Sequence, residues 1–202
     1  MSQITTIIFD IGNVLVEQRF EALAKSLSSG EEEYGILMDK VFYGPVWPII
    51  DLGTLGNDEE EAAMIALAPE HERLIRSLYR NIGNCFRTYS YSMDWIREWK
   101  RKGYRVYALS NWGRAIYERC GSKLDFLKEM DGVFLSFQYH MVKPNPDYYQ
   151  LLLDTYKIQP EEAVFLDDVK ANVRAAQALG IHGIVFQNKE QAERELAVLG
   201  VV

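Results

Sequence analysis

The chain has 202 residues, of which 48% are hydrophobic and 25% are charged, and its net charge is −7. This share of apolar side chains excludes an intrinsically disordered protein, because their burial offsets the entropy lost when the chain becomes ordered. The acidic balance argues against a protein that binds nucleic acid or a membrane surface, since non-specific binding of that kind depends on an excess of Lys and Arg.

The first predicted element is a strand near the N-terminus. Residues 4–9 form an apolar run rich in β-branched side chains, which is typical of a strand buried on both faces of a parallel sheet. The run stops at Asp10 and no basic segment precedes it, so it is too short for a signal peptide or a membrane span. Cys85 and Cys120 lie far apart without a CxxC motif, which favours free thiols, no zinc site and a cytoplasmic location.

The next stretch, residues 17–88, contains helical patterns and turns but no convincing parallel strand. Asn57 and Glu60 form an N-x-x-E pattern that resembles a capping box and predicts the start of a helix. A stretch of this length is too long for an ordinary connection between a strand and a helix. We therefore predict a helical insertion that folds over the edge of a sheet.

The rest of the chain alternates between predicted strands and predicted helices. The strands are 105–109, 133–136, 163–166 and 183–186, and the helices are 92–102, 146–157, 171–179 and 189–199. This alternation predicts an α/β fold with a doubly wound, Rossmann-like parallel sheet and right-handed crossovers. Residues 1–16 and 89–202 would form the sheet domain, and residues 17–88 the helical insertion.

Polar side chains stand at the ends of the predicted strands or in the loops beyond them. They are Asp10 after the first strand, Ser110 and Asn111 after the second, Lys143 beyond the third, and Asp167 and Asp168 after the fourth. Ligands of open α/β sheets bind outside the carboxyl ends of the strands, so these side chains are expected to share one crevice. Three carboxylates in a small space favour a divalent cation, and oxygen ligands alone favour Mg²⁺. A lysine and a serine beside Mg²⁺ suit a phosphoryl group.

Four segments carry these residues in chain order: FDIGNVL (9–15), LSN (109–111), KPNPDYY (143–149) and FLDDVKANVRAA (165–176). In order and spacing they resemble the four motifs of the haloacid dehalogenase-like (HAD) hydrolase superfamily. The insertion lies where subfamily IA of that superfamily places its helical C1 cap. The nearest resemblance is to the branch of bacterial α-glucose-1-phosphate phosphatases and of the N-terminal phosphatase-like part of epoxide hydrolases. It implies a Mg²⁺-dependent phosphatase that cleaves a small phosphorylated metabolite, such as a sugar phosphate.

The resemblance also implies a role for each residue that binds or attacks the phosphoryl group. Asp10 would be the nucleophile that forms an aspartyl-phosphate, which divides the hydrolysis into two easier steps. Ser110 would donate a hydrogen bond to the phosphoryl group, with help from the backbone N–H of Asn111. Lys143 would stabilise the negative charge on the nucleophile and on the phosphate.

The metal ligands follow from the same resemblance. Asp10, the backbone carbonyl of Gly12 and the carboxylate of Asp168 would bind Mg²⁺, and Asp167 would support them from alongside. Asn172, four residues after Asp168, would lie behind the ligands and orient them.

The first motif departs from the usual D-x-D pattern, because Gly12 stands where the family has its second Asp. That Asp protonates the leaving group and later activates water, and a general acid–base of this kind contributes about 10²–10⁴-fold in rate. We therefore expect either substrates with good leaving groups or an acid supplied by the insertion or by bound water. Trp47, Trp112 and Arg114 are candidates for the pocket lining, although core packing explains the two tryptophans equally well.

Two alternatives stay open at this point. A 2-haloacid dehalogenase uses the same Asp nucleophile on a carbon–halogen bond without a metal, and the pair Asp167 and Asp168 argues against it. A catalytically impaired HAD-like protein with a binding or regulatory role is favoured only by Gly12.

Overall fold

The computed structural model describes residues 3–202, and its centre is a parallel sheet of five strands. In chain order the strands of the molecule are β1 (Thr6–Phe9), β2 (Val16–Gln18), β3 (Phe86–Thr88), β4 (Arg105–Ser110), β5 (Gly132–Leu135), β6 (Ala163–Asp167) and β7 (His182–Val185). The large sheet has the order β5-β4-β1-β6-β7 with every pairing parallel, whereas β2 and β3 form a separate antiparallel pair. The predicted Rossmann-like α/β fold is confirmed, with strand ends that differ by one or two residues.

Helices fill the chain between β2 and β3, as the sequence predicted. They are α1 (Phe20–Leu27), α2 (Glu31–Gly35), α3 (Trp47–Leu52), α4 (Asn57–Ala66) and α5 (Glu72–Asn81), with a π-helical segment at Ile36–Phe42. Strand β3 pairs with β2, with Val16 opposite Thr88. This pair brings the two ends of the insertion together, and after it the chain continues into the large sheet. Both strands are too short and too polar to give a strand signal in the sequence. The domain limits at residues 16/17 and 88/89 stay a prediction.

The remaining helices precede, connect or follow the parallel strands β4 to β7. They are α6 (Ser92–Arg101), α7 (Arg114–Cys120), α8 (Ser136–Tyr139), α9 (Pro146–Tyr156), α10 (Lys170–Ala178) and α11 (Lys189–Val198). In the part of the chain from residue 3 onward, no helix is both long and apolar enough to cross a membrane. Cys85 and Cys120 are both buried and carry free thiols.

Helix α4 begins one residue earlier than the sequence pattern predicted. Gly56 is its N-cap, and the Gly56 backbone N–H donates a hydrogen bond to Glu59 Oε2 at 2.8 Å. Glu60, which was predicted to close the capping box, is buried and accepts a hydrogen bond from the Tyr79 hydroxyl at 3.0 Å. The prediction from Asn57 and Glu60 was wrong by one position, because Gly56 also serves as an N-cap and the adjacent Glu59 stands three residues after it.

The central strand β1 is buried on both faces of the sheet. Ile7 and Phe9 belong to one hydrophobic cluster and Ile8 to the other, because successive side chains of a strand point to opposite faces. The first cluster continues into the insertion through residues such as Leu37 and Ile50. One face of the sheet and the insertion therefore share a core, which holds the insertion against the carboxyl edge of the strands.

Candidate active site

Asp10 lies at the carboxyl end of the central strand β1. Its backbone N–H donates to the carbonyl of Leu166 on β6 at 2.8 Å, so the parallel register fixes its position. Its carboxylate is buried, and Oδ1 receives both the Ser110 hydroxyl at 2.6 Å and the Lys143 ammonium at 2.7 Å. Burial raises the pKa of the Asp10 carboxyl to about 6, against the opposing effect of the Lys143 charge.

Lys143 is a buried cation between two carboxylates. Its Nζ lies 2.7 Å from Asp10 Oδ1 and 2.6 Å from Asp167 Oδ2. Burial by itself lowers the pKa of the ammonium, but the two carboxylates together outweigh burial and raise the pKa above its ordinary value. Lys143 is therefore charged, as a buried ion can be when it is paired on both sides.

Asn111 holds the loop that carries Lys143. Its side-chain amide donates to the Lys143 carbonyl at 3.0 Å and accepts from the Lys143 backbone N–H at 2.8 Å. The predicted phosphate contact used the Asn111 backbone, and it stays a prediction. The structure adds a positioning role for the side chain, because these two hydrogen bonds aim the lysine at Asp10.

The two consecutive acidic residues occupy different environments. Asp167 is fully buried and accepts hydrogen bonds from the Val169 backbone N–H at 2.7 Å and from the Asn172 amide at 3.0 and 3.1 Å. Asp168 lines the pocket, and its Oδ2 accepts from the Asn13 amide at 2.9 Å. The resemblance placed Asn172 behind the proposed ligands, and in the structure its amide hydrogen-bonds Asp167. Asp168 is thus the more available metal ligand of the pair.

The carboxylates form a group that fits a divalent cation. Asp10, Asp167 and Asp168 each place an oxygen atom within 4.8 Å of the others. Burial raises the pKa of both Asp10 and Asp168, which reflects the cost of negative charge there that a cation relieves. Gly12 lines the same pocket, and the donor set consists of oxygen atoms, so the residues present fit Mg²⁺.

The pocket above these residues has a volume of about 150 Å³, and the insertion forms part of its wall. Trp47 and Asp51 of α3 line it, together with Trp112 from the loop after β4. The two tryptophans line the pocket and also pack with the hydrophobic core, so both expectations for them apply. Arg114 is not among the lining residues, and its guanidinium lies 4.9 Å from the centre of the Phe137 ring.

Three polar residues of the pocket wall were missed by the sequence analysis. They are Asn13, Gln18 and Asp51. Asn13 has a left-handed backbone with φ of 53°, which asparagine tolerates, and this turns its amide toward Asp168. Gln18 lies close to Gly12, since a Cβ atom on Gly12 would be 2.8 Å from Gln18 Nε2. No local pattern marks Gln18 or Asp51, because their position depends on how β2 and α3 pack.

The four motifs therefore meet at one edge of a parallel sheet under a helical insertion. The family model of haloacid dehalogenase-like hydrolases matches residues 4–180. The chain belongs to this hydrolase family. The predicted HAD-like identity is thereby confirmed.

Several relatives have an assigned activity. The D-ribitol-5-phosphate phosphatase of Bacteroides thetaiotaomicron is 24% identical, over 97% of this chain and 98% of its own length. The mouse bifunctional epoxide hydrolase 2 is 40% identical over 38% of this chain, but the match spans only 15% of the mouse protein. A HAD family enzyme from B. thetaiotaomicron, solved in complex with magnesium and inorganic phosphate, superimposes with a TM-score of 0.75 at 20% identity, covering 91% of this chain and 94% of the other.

Proposed function

We propose that this HAD-like hydrolase is a Mg²⁺-dependent phosphatase that cleaves a small phosphomonoester through an aspartyl-phosphate on Asp10. The observation that carries the proposal is the buried cluster in which Lys143 bridges Asp10 and Asp167 beside Asp168. A carboxylate nucleophile, a fixed cation and a carboxylate set for a metal are the groups that phosphoryl transfer to Asp requires. The relatives that act on or bind phosphate support the same class of substrate.

In this mechanism Asp10 is the group that reacts. Ser110 and Lys143 both contact Oδ1 of its carboxylate, and these contacts fix the direction of the carboxylate before substrate binds. A carboxylate oxygen of Asp10 attacks phosphorus as the bond to the leaving oxygen breaks. Lys143 and Ser110 are placed to stabilise the charge of the transferring phosphoryl group, and hydrolysis of the aspartyl-phosphate by water restores Asp10.

The metal would be held by Asp10, Asp168 and the backbone carbonyl of Gly12. Asp167 would support this set indirectly, since its oxygens accept hydrogen bonds from Lys143, Val169 and Asn172. When bound, Mg²⁺ would neutralise charge on the carboxylates and on the phosphoryl group.

The pocket restricts the substrate to a small molecule. A cavity of about 150 Å³, with Trp47 and Asp51 in its wall, suits a small molecule, and the net charge of −7 disfavours polyanions. A polyol or sugar phosphate is the substrate class that we propose, in line with the ribitol-phosphate phosphatase among the relatives. We place the reaction in the cytoplasm, where free thiols such as Cys85 and Cys120 persist.

The test is a panel of phosphomonoesters that includes D-ribitol 5-phosphate, hexose phosphates and p-nitrophenyl phosphate, assayed with Mg²⁺ and with EDTA. We expect turnover that requires Mg²⁺ and that falls to background in Asp10→Asn. Asp58→Asn, an exposed position on α4, is the matched control and keeps full activity.

Other outcomes of the same panel would replace the proposal. Mg²⁺-dependent turnover that survives Asp10→Asn excludes the aspartyl-phosphate. Halide release from a 2-haloacid in EDTA identifies a dehalogenase. Tight binding of Mg²⁺ and phosphate without hydrolysis of any ester identifies a protein with a binding role.

A further inference from the structure

The crevice has no acid at the position where the first motif of this family usually has one. Gly12 has no side chain, and the neighbouring Gln18 amide has no proton that titrates in the working range. An alkoxide leaving group needs a proton, and the water that hydrolyses the aspartyl-phosphate must lose one. Another group in the pocket wall must therefore supply general acid–base catalysis if the proposed phosphatase acts on alkyl phosphates.

Within residues 3–202, the side chains lining the pocket include four that ionise: Asp10, Asp51, Lys143 and Asp168. Asp10 is the proposed nucleophile, Asp168 is a proposed metal ligand, and Lys143 is held as a cation between two carboxylates. Asp51 is the fourth. No residue in the described part of the chain donates a hydrogen bond to its carboxylate, so its oxygens are free for a substrate or water.

The backbone of Asp51 is fastened to the sheet domain near the crevice. Its carbonyl accepts a hydrogen bond from the hydroxyl of Ser136, which also accepts from the Trp112 backbone N–H at 2.8 Å. The next carbonyl, of Leu52, contacts His140 Nδ1 at 3.2 Å. These contacts join α3 to α8 and hold the backbone of Asp51 in the pocket wall.

The surroundings of Asp51 give its carboxyl group a pKa that lets it both donate and accept a proton near neutral pH. Burial raises its pKa to about 7, the nearby Lys143 charge opposes the rise, and the charges of Asp10 and Glu60 add to it. Near neutral pH the group therefore exists in both protonation states. A residue that must donate a proton in one step and accept one in the next works best under this condition.

We propose that Asp51, on the insertion, is the general acid–base of this enzyme in place of the acidic residue that position 12 lacks. The proposal rests on the phosphatase function proposed above. In the first step Asp10 forms a bond to phosphorus, the phosphorus–oxygen bond of the ester breaks, and Asp51 gives its proton to the departing oxygen. In the second step Asp51 takes a proton from water as the water oxygen attacks phosphorus, and the bond to Asp10 breaks to release phosphate.

The test compares Asp51→Asn with wild type on p-nitrophenyl phosphate and on an alkyl ester such as glycerol phosphate. Nitrophenolate departs without a proton, so the variant is expected to release one nitrophenolate per active site in a burst and then to slow. Single-turnover cleavage of the alkyl ester is expected to fall by about 10²–10⁴-fold. Asp58→Asn is the matched surface control, and Asp51→Glu is expected to recover part of the alkyl activity.

A pH profile of the wild-type protein adds a test that does not depend on the correct folding of a variant. The rate of single-turnover cleavage of glycerol phosphate is expected to fall as the pH rises through 7, because Asp51 loses its proton. The rate of the nitrophenolate burst is expected not to show this fall, since nitrophenolate departs without a proton. Equal losses on both esters without a burst, or an alkyl rate unchanged in Asp51→Asn, overturn the role of Asp51 alone. A wild-type protein that cleaves no phosphomonoester overturns the phosphatase function itself, so the two failures are distinguishable.

Discussion

At the scale of single residues, the site depends on charges that cannot be buried alone. Lys143 contacts Asp10 and Asp167 at 2.7 and 2.6 Å, and Asn172 and the Val169 backbone satisfy the remaining oxygens of Asp167. A buried charge that loses its partner lowers the stability of the fold by about 3–5 kcal/mol. A substitution at one member of this cluster therefore destabilises the protein unless its partners change as well. The cluster is therefore preorganised before substrate or metal arrives.

If Asp51 replaces the acid that position 12 lacks, an acid restored at position 12 should recover the activity lost when Asp51 is removed. Gly12→Asp in the Asp51→Asn background should restore alkyl phosphate cleavage, because it places a carboxyl group where the family usually has it. A Cβ atom at position 12 would lie 2.8 Å from Gln18 Nε2, so Gln18→Ala is added to make room. We expect single-turnover rates to recover by about 10-fold or more, within the contribution of a general acid.

The control for this rescue is Gln18→Ala with Asp51→Asn, which lacks an acid at both positions and is expected to stay slow. If the triple variant is no faster than this control on glycerol phosphate, the two positions are not equivalent. The rescue therefore tests whether the departure at Gly12 and the presence of Asp51 are related.

At the scale of secondary-structure elements, the contact between α3 and α8 decides where Asp51 lies. Gly53 ends α3 with a left-handed φ of 70°, and a Cβ atom there would overlap the backbone of Phe137 on α8. The close approach is possible only because glycine has no side chain. The same contact allows the Ser136 hydroxyl to reach the Asp51 carbonyl.

Gly53→Ala is therefore expected to separate α3 from α8 and to lower both stability and kcat. Gly103→Ala is the matched control, because Gly103 also has a positive φ, of 91°, but nothing lies within 4 Å of its Cβ position. The control loses about 1–2 kcal/mol from backbone strain alone, and Gly53→Ala is expected to lose more. Urea unfolding measures the stability, and equal losses in both variants would show that the contact with Phe137 does not matter.

At the scale of the whole molecule, metal binding should be coupled to folding. The oxygens of Asp10, Asp167 and Asp168 come within 4.8 Å of one another only when the sheet brings them together, so the proposed Mg²⁺ site exists only in the folded chain. Mg²⁺ at 100 times its Kd should therefore stabilise the fold by about 2.7 kcal/mol. For a chain of this size each kcal/mol corresponds to about 2–4 °C in Tm.

Asp168→Asn is expected to change Tm differently in EDTA and with Mg²⁺. In EDTA it removes a carboxylate whose pKa is raised by burial, so Tm should rise or stay the same. With Mg²⁺ it removes a proposed ligand, so the gain in Tm from the metal should shrink. Asp58→Asn is the surface control, and a full Mg²⁺ gain in Asp168→Asn would exclude Asp168 as a ligand.

Much of the sheet and of the crevice could be predicted from the sequence because both depend on local patterns. Buried strands appear as short apolar runs, and their alternation with helices determines a parallel sheet. Once the sheet is parallel, residues at the strand ends such as Asp10, Ser110 and Asp168 must share one edge. The chemistry of that edge then follows from the residue types alone.

The tertiary structure decided which side chains from distant parts of the chain contact one another and which of them line the pocket. The contact of Asn111 with the Lys143 loop and the place of Asp51 in the pocket both depend on packing between elements far apart in sequence. No periodicity encodes such contacts, since they arise only when distant elements pack against one another in the folded chain. The sequence by itself determined a hydrolase crevice that lacks an acid at Gly12, and only the folded chain brought Asp51 into that crevice.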